Sequence, residues 1–193
     1  MRILVLSFYY PPDIGPGSLR AKSIVDALMK EMPSNLKIDV ITTMPNRYHS
    51  LNVLASNYED NNKVSINRIA LSKHKNGMFD QAKAFILFSF AVRKLILKKK
   101  WDIVITTSSR LMTASLGIYI AKQTNSKIYL DIRDLFIDTI NSIFKKNFLR
   151  ILIPIFKRLE KWTFKHADKL NVVSPGFLDY IREVRPNLTP SLF

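Results

Sequence analysis

The sequence contains no cysteine, which excludes disulfides, thiolate nucleophiles and cysteine-ligated metals. Histidine is scarce. His49, His74 and His166 are the whole supply, none stands in a nucleophile motif, and no pair has ligand spacing. Neither a Ser-His-Asp set nor a histidine-bound metal has support. Acidic residues are also few: fifteen Asp and Glu face thirty Lys and Arg, leaving a net charge of +15. An excess of that size points to an anionic neighbour, whether nucleic acid, an acidic membrane surface or a phosphorylated ligand. Long apolar runs are missing too. The most apolar internal stretch, "AFILFSFAVRKLIL" at 84–97, is shorter than a bilayer span and is interrupted by Arg93 and Lys94. The opening "MRILVLSFYY" has a short apolar part and no small-residue cleavage site before the prolines, so it reads as a buried strand, not a signal peptide. No membrane-crossing helix is expected, and a cytoplasmic location follows from that.

What is present suits one globular domain: 193 residues, 47% apolar and 23% charged. Short runs rich in Val and Ile at 3–9, 37–43, 64–70, 102–108, 127–133 and 169–174 predict strands covered on both faces. Between them, Ile24, Val25, Leu28, Met29 and Met32 predict a helix over 18–32 that Pro33 closes. Further helices are expected over 79–99, 113–124 and 143–166, the last interrupted or restarted at Pro154. This alternation predicts an α/β fold, a Rossmann-like doubly wound parallel sheet with helices on both faces.

Only five glycines occur, and two of them, Gly15 and Gly17, fall between the first strand and the first helix. Backbone at these positions can approach a ligand closely, and the amides entering the helix near Ser18 point outward with the positive end of its dipole. "GPGSLR" is not the dinucleotide fingerprint, because Arg20 stands where the third glycine belongs. A plain turn with Ser18 as its cap accounts for the same residues.

Several segments resemble the N-terminal half of a GT-B glycosyltransferase, of the large family-four type of retaining enzymes that elongate bacterial surface polysaccharides. "MRILVLSFYYPPDIGPGSLRAKSIVDALMK" is similar to the first strand, glycine loop and first helix, and "VITTMPNRY" to the second strand and its loop. "WDIVITTSSRLMTASLGIYIAK", "IYLDIRDLFIDTI" and "RLEKWTFKHADKLNVVSPGFLDYI" follow in the family's order. There are departures: Phe136 and Ile137 replace the usual Trp and Pro, and Ser108, Ser109 and Arg110 replace a proline-bearing turn.

The resemblance implies an acceptor-side domain over 1–185, with 186–193 opening the interdomain linker and the donor-binding second domain absent from this chain. A glycosyltransferase whose isolated half is inactive is the expected enzyme. It also implies Asp134 and Arg133 as catalytic candidates at the end of the fifth expected strand, and Gly15, Gly17 and Arg20 beside the donor phosphate. Asn46, Arg47, Ser108, Ser109 and Asp131 are implied as acceptor contacts. Asp131 and Arg133 share one side of an extended strand, so an ion pair between them is the structural alternative. No metal or cofactor is implied beyond the nucleotide-sugar substrate, and "DIRD" is not an Asp-x-Asp metal motif.

Cations crowd two regions. Arg93, Lys94, Lys98, Lys99 and Lys100 end one expected helix, while Lys145, Lys146, Arg150, Lys157, Arg158, Lys161 and Lys165 interleave with Phe144, Phe148, Phe156 and Trp162. Such a pattern suits an interfacial helix on anionic lipid. It fits a lipid-linked saccharide acceptor reached from the inner face of the cytoplasmic membrane. A solvated face over an apolar core is the simpler explanation. A nucleic-acid-binding protein would also use this charge, but the recognition-helix, ribonucleoprotein and zinc signatures are missing, and no nucleic acid is expected. A third alternative is a non-catalytic membrane adaptor serving a separate donor-binding subunit.

Overall fold

The first strand alternates its side chains between two interiors. Ile3 and Val5 join one buried cluster and Leu4 and Leu6 the other, as a strand covered on both faces requires. A computed structural model describes residues 1–31, 35–46, 54–71, 78–107, 110–136 and 151–192, apart from the side chains of Met78 and Phe79. In chain order the elements are β1 (Arg2–Leu6), α1 (Pro16–Glu31), β2 (Lys37–Thr43), β3 (Tyr58–Asp60), β4 (Val64–Ile69), α2 (Met78–Ile96), β5 (Ile103–Thr107) and α3 (Leu111–Thr124). β6 (Lys127–Ile132), α4 (Ile153–Lys165), β7 (Lys169–Val172), a 3₁₀ turn (Pro175–Phe177), α5 (Leu178–Val184) and β8 (Ser191–Leu192) complete it.

The eight strands form one sheet in the order β3-β4-β2-β1-β5-β6-β7-β8, parallel throughout except where β3 runs against β4. The fold is therefore the doubly wound α/β sheet that the alternation predicts. α1 packs on one face through Ala21 and Val25. On the other, Phe88 and Val92 of α2, Ile118 and Ile120 of α3, Phe164 of α4 and Ile181 of α5 bury the larger cluster. Burying each such side chain contributes about 1.5–3 kcal/mol.

The differences from expectation have local causes. β1 stops at Leu6, because the chain turns beyond it and Ser7 Oγ donates to the Tyr9 carbonyl at 2.7 Å. α2 ends at Ile96 because Lys98 takes a left-handed φ of 65°. Pro154 lies in the first turn of α4, where its missing N–H costs nothing, so it opens that helix and does not interrupt it. The earlier part of that expected helix, through 150, lies outside the described residues. β3, α5 and β8 are short elements that were not expected, and β8 places residues 191–192 of the expected linker beside β7.

Since the parallel strands share a direction, their carboxyl ends form one rim and their amino ends a basal edge. The basal edge is basic. Arg2, Lys37, Lys63, Lys100, Lys127 and Lys169 stand at or just before the starts of six parallel strands. Of the acidic residues along this edge, Asp39, Asp102 and Asp168, only Asp39 is buried. Asp39 accepts hydrogen bonds from Arg2 Nε at 2.7 Å, Ser65 Oγ at 2.6 Å and the Trp101 indole at 2.5 Å. Burial pushes this carboxyl up, but the three donors outweigh burial and hold it below the usual carboxylate range.

That network gives a pH test. Its stabilisation is complete above the unfolded carboxylate value, near pH 4, and is lost as pH falls through the lower folded value. Thermal melts on acidification will therefore fall more steeply for the native chain than for Asp39→Asn. The variant itself will be about 1–2 kcal/mol less stable at neutral pH. Identical acid limbs would show that the carboxylate is unimportant.

Candidate functional site

β1 and β5 are neighbours, yet the chain leaves β1 through α1 toward β2 and leaves β5 through α3 toward β6, on the opposite side. This is a topological switch point, and the crevice beyond it is where open α/β sheets receive ligands. The loop 7–15 and the start of α3 frame it.

The loop is braced from beneath. Thr43 Oγ1 donates to the Phe8 carbonyl at 2.7 Å, and Arg68, buried in β4, donates through Nη2 to the Pro11 carbonyl at 2.8 Å. The Asp13 carboxylate accepts the Asn46 N–H at 3.2 Å. Gly15 has φ 152°, a conformation that would strain a side chain, and its carbonyl accepts the Leu19 N–H at 3.1 Å as α1 begins. Gly17 and Ser18 are buried in that first turn, and Ser18 Oγ has no hydrogen-bond partner among the described residues. At the start of α3 the Arg110 guanidinium lies 4.4 Å from the Phe8 ring centre and 5.2 Å from that of Tyr9, and it donates to the Tyr9 hydroxyl. Stacking on two rings fixes a cation beside the crevice.

The strongest tie across the rim joins α1 to β6. Arg20 donates through Nε and Nη2 to the two oxygens of Asp131, at 3.1 and 2.7 Å, and Asn171 Nδ2 from β7 donates to the same carboxylate at 2.7 Å. Asp131 has no exposed surface, whereas the Arg20 side chain is 31% exposed. The hydrogen bond to Asp131 raises the Arg20 pKa above its ordinary value, so its charge is permanent. Asp131 pairs here with Arg20 and not with Arg133, the partner that strand alternation offered. In this arrangement Asp131 orients Arg20, and Arg20 presents the exposed edge.

Arg20 follows Gly17 by three residues and Asp131 precedes Asp134 by three. The glycine loop and the end of β6 therefore share one rim. Asp134 is exposed there and Arg133 is half-buried. The exit of their loop is fixed by Glu160 of α4, which has no exposed surface: Oε1 accepts the Phe136 N–H at 2.8 Å and Oε2 accepts the Tyr180 hydroxyl at 2.7 Å. Asn46 donates to Thr43 Oγ1 at 2.6 Å and to the Met44 carbonyl at 3.0 Å, while its Oδ1 has no hydrogen-bond partner among the described residues. Arg47, Ser108 and Ser109 lie outside the described residues.

Sequence reasoning did not single out Arg68, Glu160 or Asn171 as rim supports. Each is a polar or charged residue that packing turns inward, where it demands a partner. Glu160 gives a direct test. Glutamine has one acceptor oxygen where two donors need one each, so Glu160→Gln will cost about 1–3 kcal/mol in denaturant unfolding. The Phe136 amide will exchange its hydrogen faster. An unchanged midpoint and exchange rate would remove Glu160 as the anchor.

No model of a known protein family matches the sequence, and no curated protein is significantly similar to it. Solved structures do share its fold. A sucrose-phosphate synthase from Thermosynechococcus elongatus superimposes with a TM-score of 0.68 at 14% identity, over 99% of this chain and 47% of that one. A ugt transferase from Siraitia grosvenorii, in complex with UDP, gives 0.53 at 13% identity over 100% of this chain and 50% of its own. A UGT from Arabidopsis thaliana, also complexed with UDP, gives 0.56 at 13% identity over 94% and 48%. The chain thus spans about half the length of these proteins. At such identities the likeness is one of fold, that of the Rossmann-like half-domain of GT-B glycosyltransferases.

Proposed function

We propose that this chain is the acceptor-side half of a nucleotide-sugar-dependent, retaining glycosyltransferase acting on a lipid-linked saccharide at the cytoplasmic face of a membrane. One observation carries the reading: in a half-domain of this fold, the Gly15–Gly17 loop, the start of α1 and the loop after β6 meet at the switch-point rim. Neighbours solved with UDP support a uridine diphosphate sugar as the donor class. Most contacts to that donor would come from a second half, either fused or supplied as a separate subunit.

The chemistry follows from what the rim offers. The bond between the anomeric carbon and the departing phosphate oxygen breaks, the acceptor oxygen bonds to the same carbon on the same face, and the hydroxyl proton passes to the departing phosphate. Charge builds on that phosphate as it leaves. Backbone amides at the start of α1 and the Arg20 edge would stabilise it without reorganising. Asp134, exposed at the rim, would orient the acceptor hydroxyl, with Arg133 beside it.

The test uses the chain joined to a donor-binding half, with transfer from a uridine diphosphate sugar to a polyprenyl-linked saccharide as the readout. Asp134→Asn will lower turnover by about a hundredfold or more. It will leave the melting temperature unchanged, because the side chain is exposed. Full turnover in the variant would remove Asp134 from the reaction, and failure of every uridine diphosphate sugar would overturn the donor class.

A further inference from the structure

The rim does not use most of the molecule's positive charge. Arg93, Lys94, Lys98, Lys99 and Lys100 fall within residues 93–100, and none of them enters an ion pair among the described residues. Together with Arg2 they line a cavity of about 1090 Å³ at the basal edge, between the ends of α2 and α3. Its one acidic residue, Asp102, already accepts the Arg2 backbone N–H at 2.7 Å.

Beside this groove the outer side of α2 is apolar. Ile86, Leu87, Phe90 and Leu97 are 52%, 42%, 60% and 70% exposed, where a helix on a soluble sheet ordinarily turns polar residues outward. Ile86, Phe90 and Leu97 follow one another at helical spacing over about 16 Å, so they form a stripe parallel to the helix axis. Lys83, Arg93, Lys94 and Lys98 are exposed around it.

Complementing the helix dipole does not explain this composition. α3 and α4 each end with a single basic residue in the last turn, Lys122 and Lys165. Lys98 ends α2 in a left-handed conformation, with φ 65°. A phosphate backbone would use the cations but has no use for the exposed aliphatic side chains of Ile86, Leu87 and Leu97.

We infer that the outer side of α2 and the groove at its end bind the surface of an anionic phospholipid bilayer. Headgroup phosphates sit among Lys94, Lys98 and Lys99, and Ile86, Phe90 and Leu97 enter the interface. Among the described residues no helix is long and apolar enough to cross a membrane, so the contact is interfacial. α2 runs from the rim to the basal edge. Lying along the bilayer, it brings the rim close to the surface, within reach of an acceptor whose tail stays in the lipid. This deepens the membrane part of the proposed function, but vesicle binding requires neither donor nor acceptor, so the two stand or fall separately.

The experiment is co-sedimentation of the protein with phosphatidylglycerol-containing vesicles and with pure phosphatidylcholine vesicles. Binding to the first and not the second is expected. The triple variant K94E/K98E/K99E will weaken it on the order of a hundredfold. The double variant F90Q/L97Q changes only exposed side chains and no charge, and it will also weaken binding while leaving the melting temperature in place. Unaltered binding by F90Q/L97Q would leave charge attraction alone and overturn the interfacial assignment. Absence of vesicle binding, or gel shifts with nucleic acid in its place, would overturn the lipid partner.

Discussion

One buried carboxylate joins the pieces of the rim. Asp131 is fully enclosed, and Arg20 and Asn171 supply hydrogen bonds from elements on either side of β6. An enclosed charge without such donors would be costly, and removing Arg20 would leave it uncompensated. The arrangement therefore holds α1 in one position over the sheet. The small buried residues Gly17, Ser18 and Ala21 let that helix lie close enough for Arg20 to reach. The glycine loop is placed as a consequence, because it must connect the end of β1 to a helix whose start is already fixed.

The two ends of the sheet divide the electrostatic work. At the rim, cations are held individually, Arg20 by a carboxylate and Arg110 by aromatic faces. At the basal edge they are numerous and are gathered next to exposed apolar side chains. A single net charge conceals this difference. Cations held singly suit a ligand recognised by geometry, and gathered ones suit an extended surface of opposite sign.

The sheet was legible because a strand covered on both faces needs consecutive apolar residues, and six such runs punctuate the sequence. The exceptions are instructive. β3 is three exposed residues, Tyr58, Glu59 and Asp60, and β8 only two, so neither bears an apolar signature and both exist through pairing with a neighbouring strand. Gly15 and Arg20 were legible as a turn and a cation, but the partner of Arg20 was not. Strand alternation put Asp131 and Arg133 on one side, while the choice between Arg133 and Arg20 depends on where α1 docks, 111 positions away in the chain. Glu160 posed the same difficulty: a carboxylate in a basic helix reads as surface until tertiary packing shows that it faces inward to Phe136 and Tyr180.

On the proposed function, the switch-point rim framed by the glycine loop and the end of β6 receives the transferred sugar and its carriers. Amide chemical-shift mapping by NMR during titration with a uridine diphosphate sugar and a soluble saccharide diphosphate tests it most directly. Perturbations centred on Gly15, Gly17, Arg110 and Asp134 are the expected result. Perturbations confined to the basal edge, or to the groove beside α1, would contradict it.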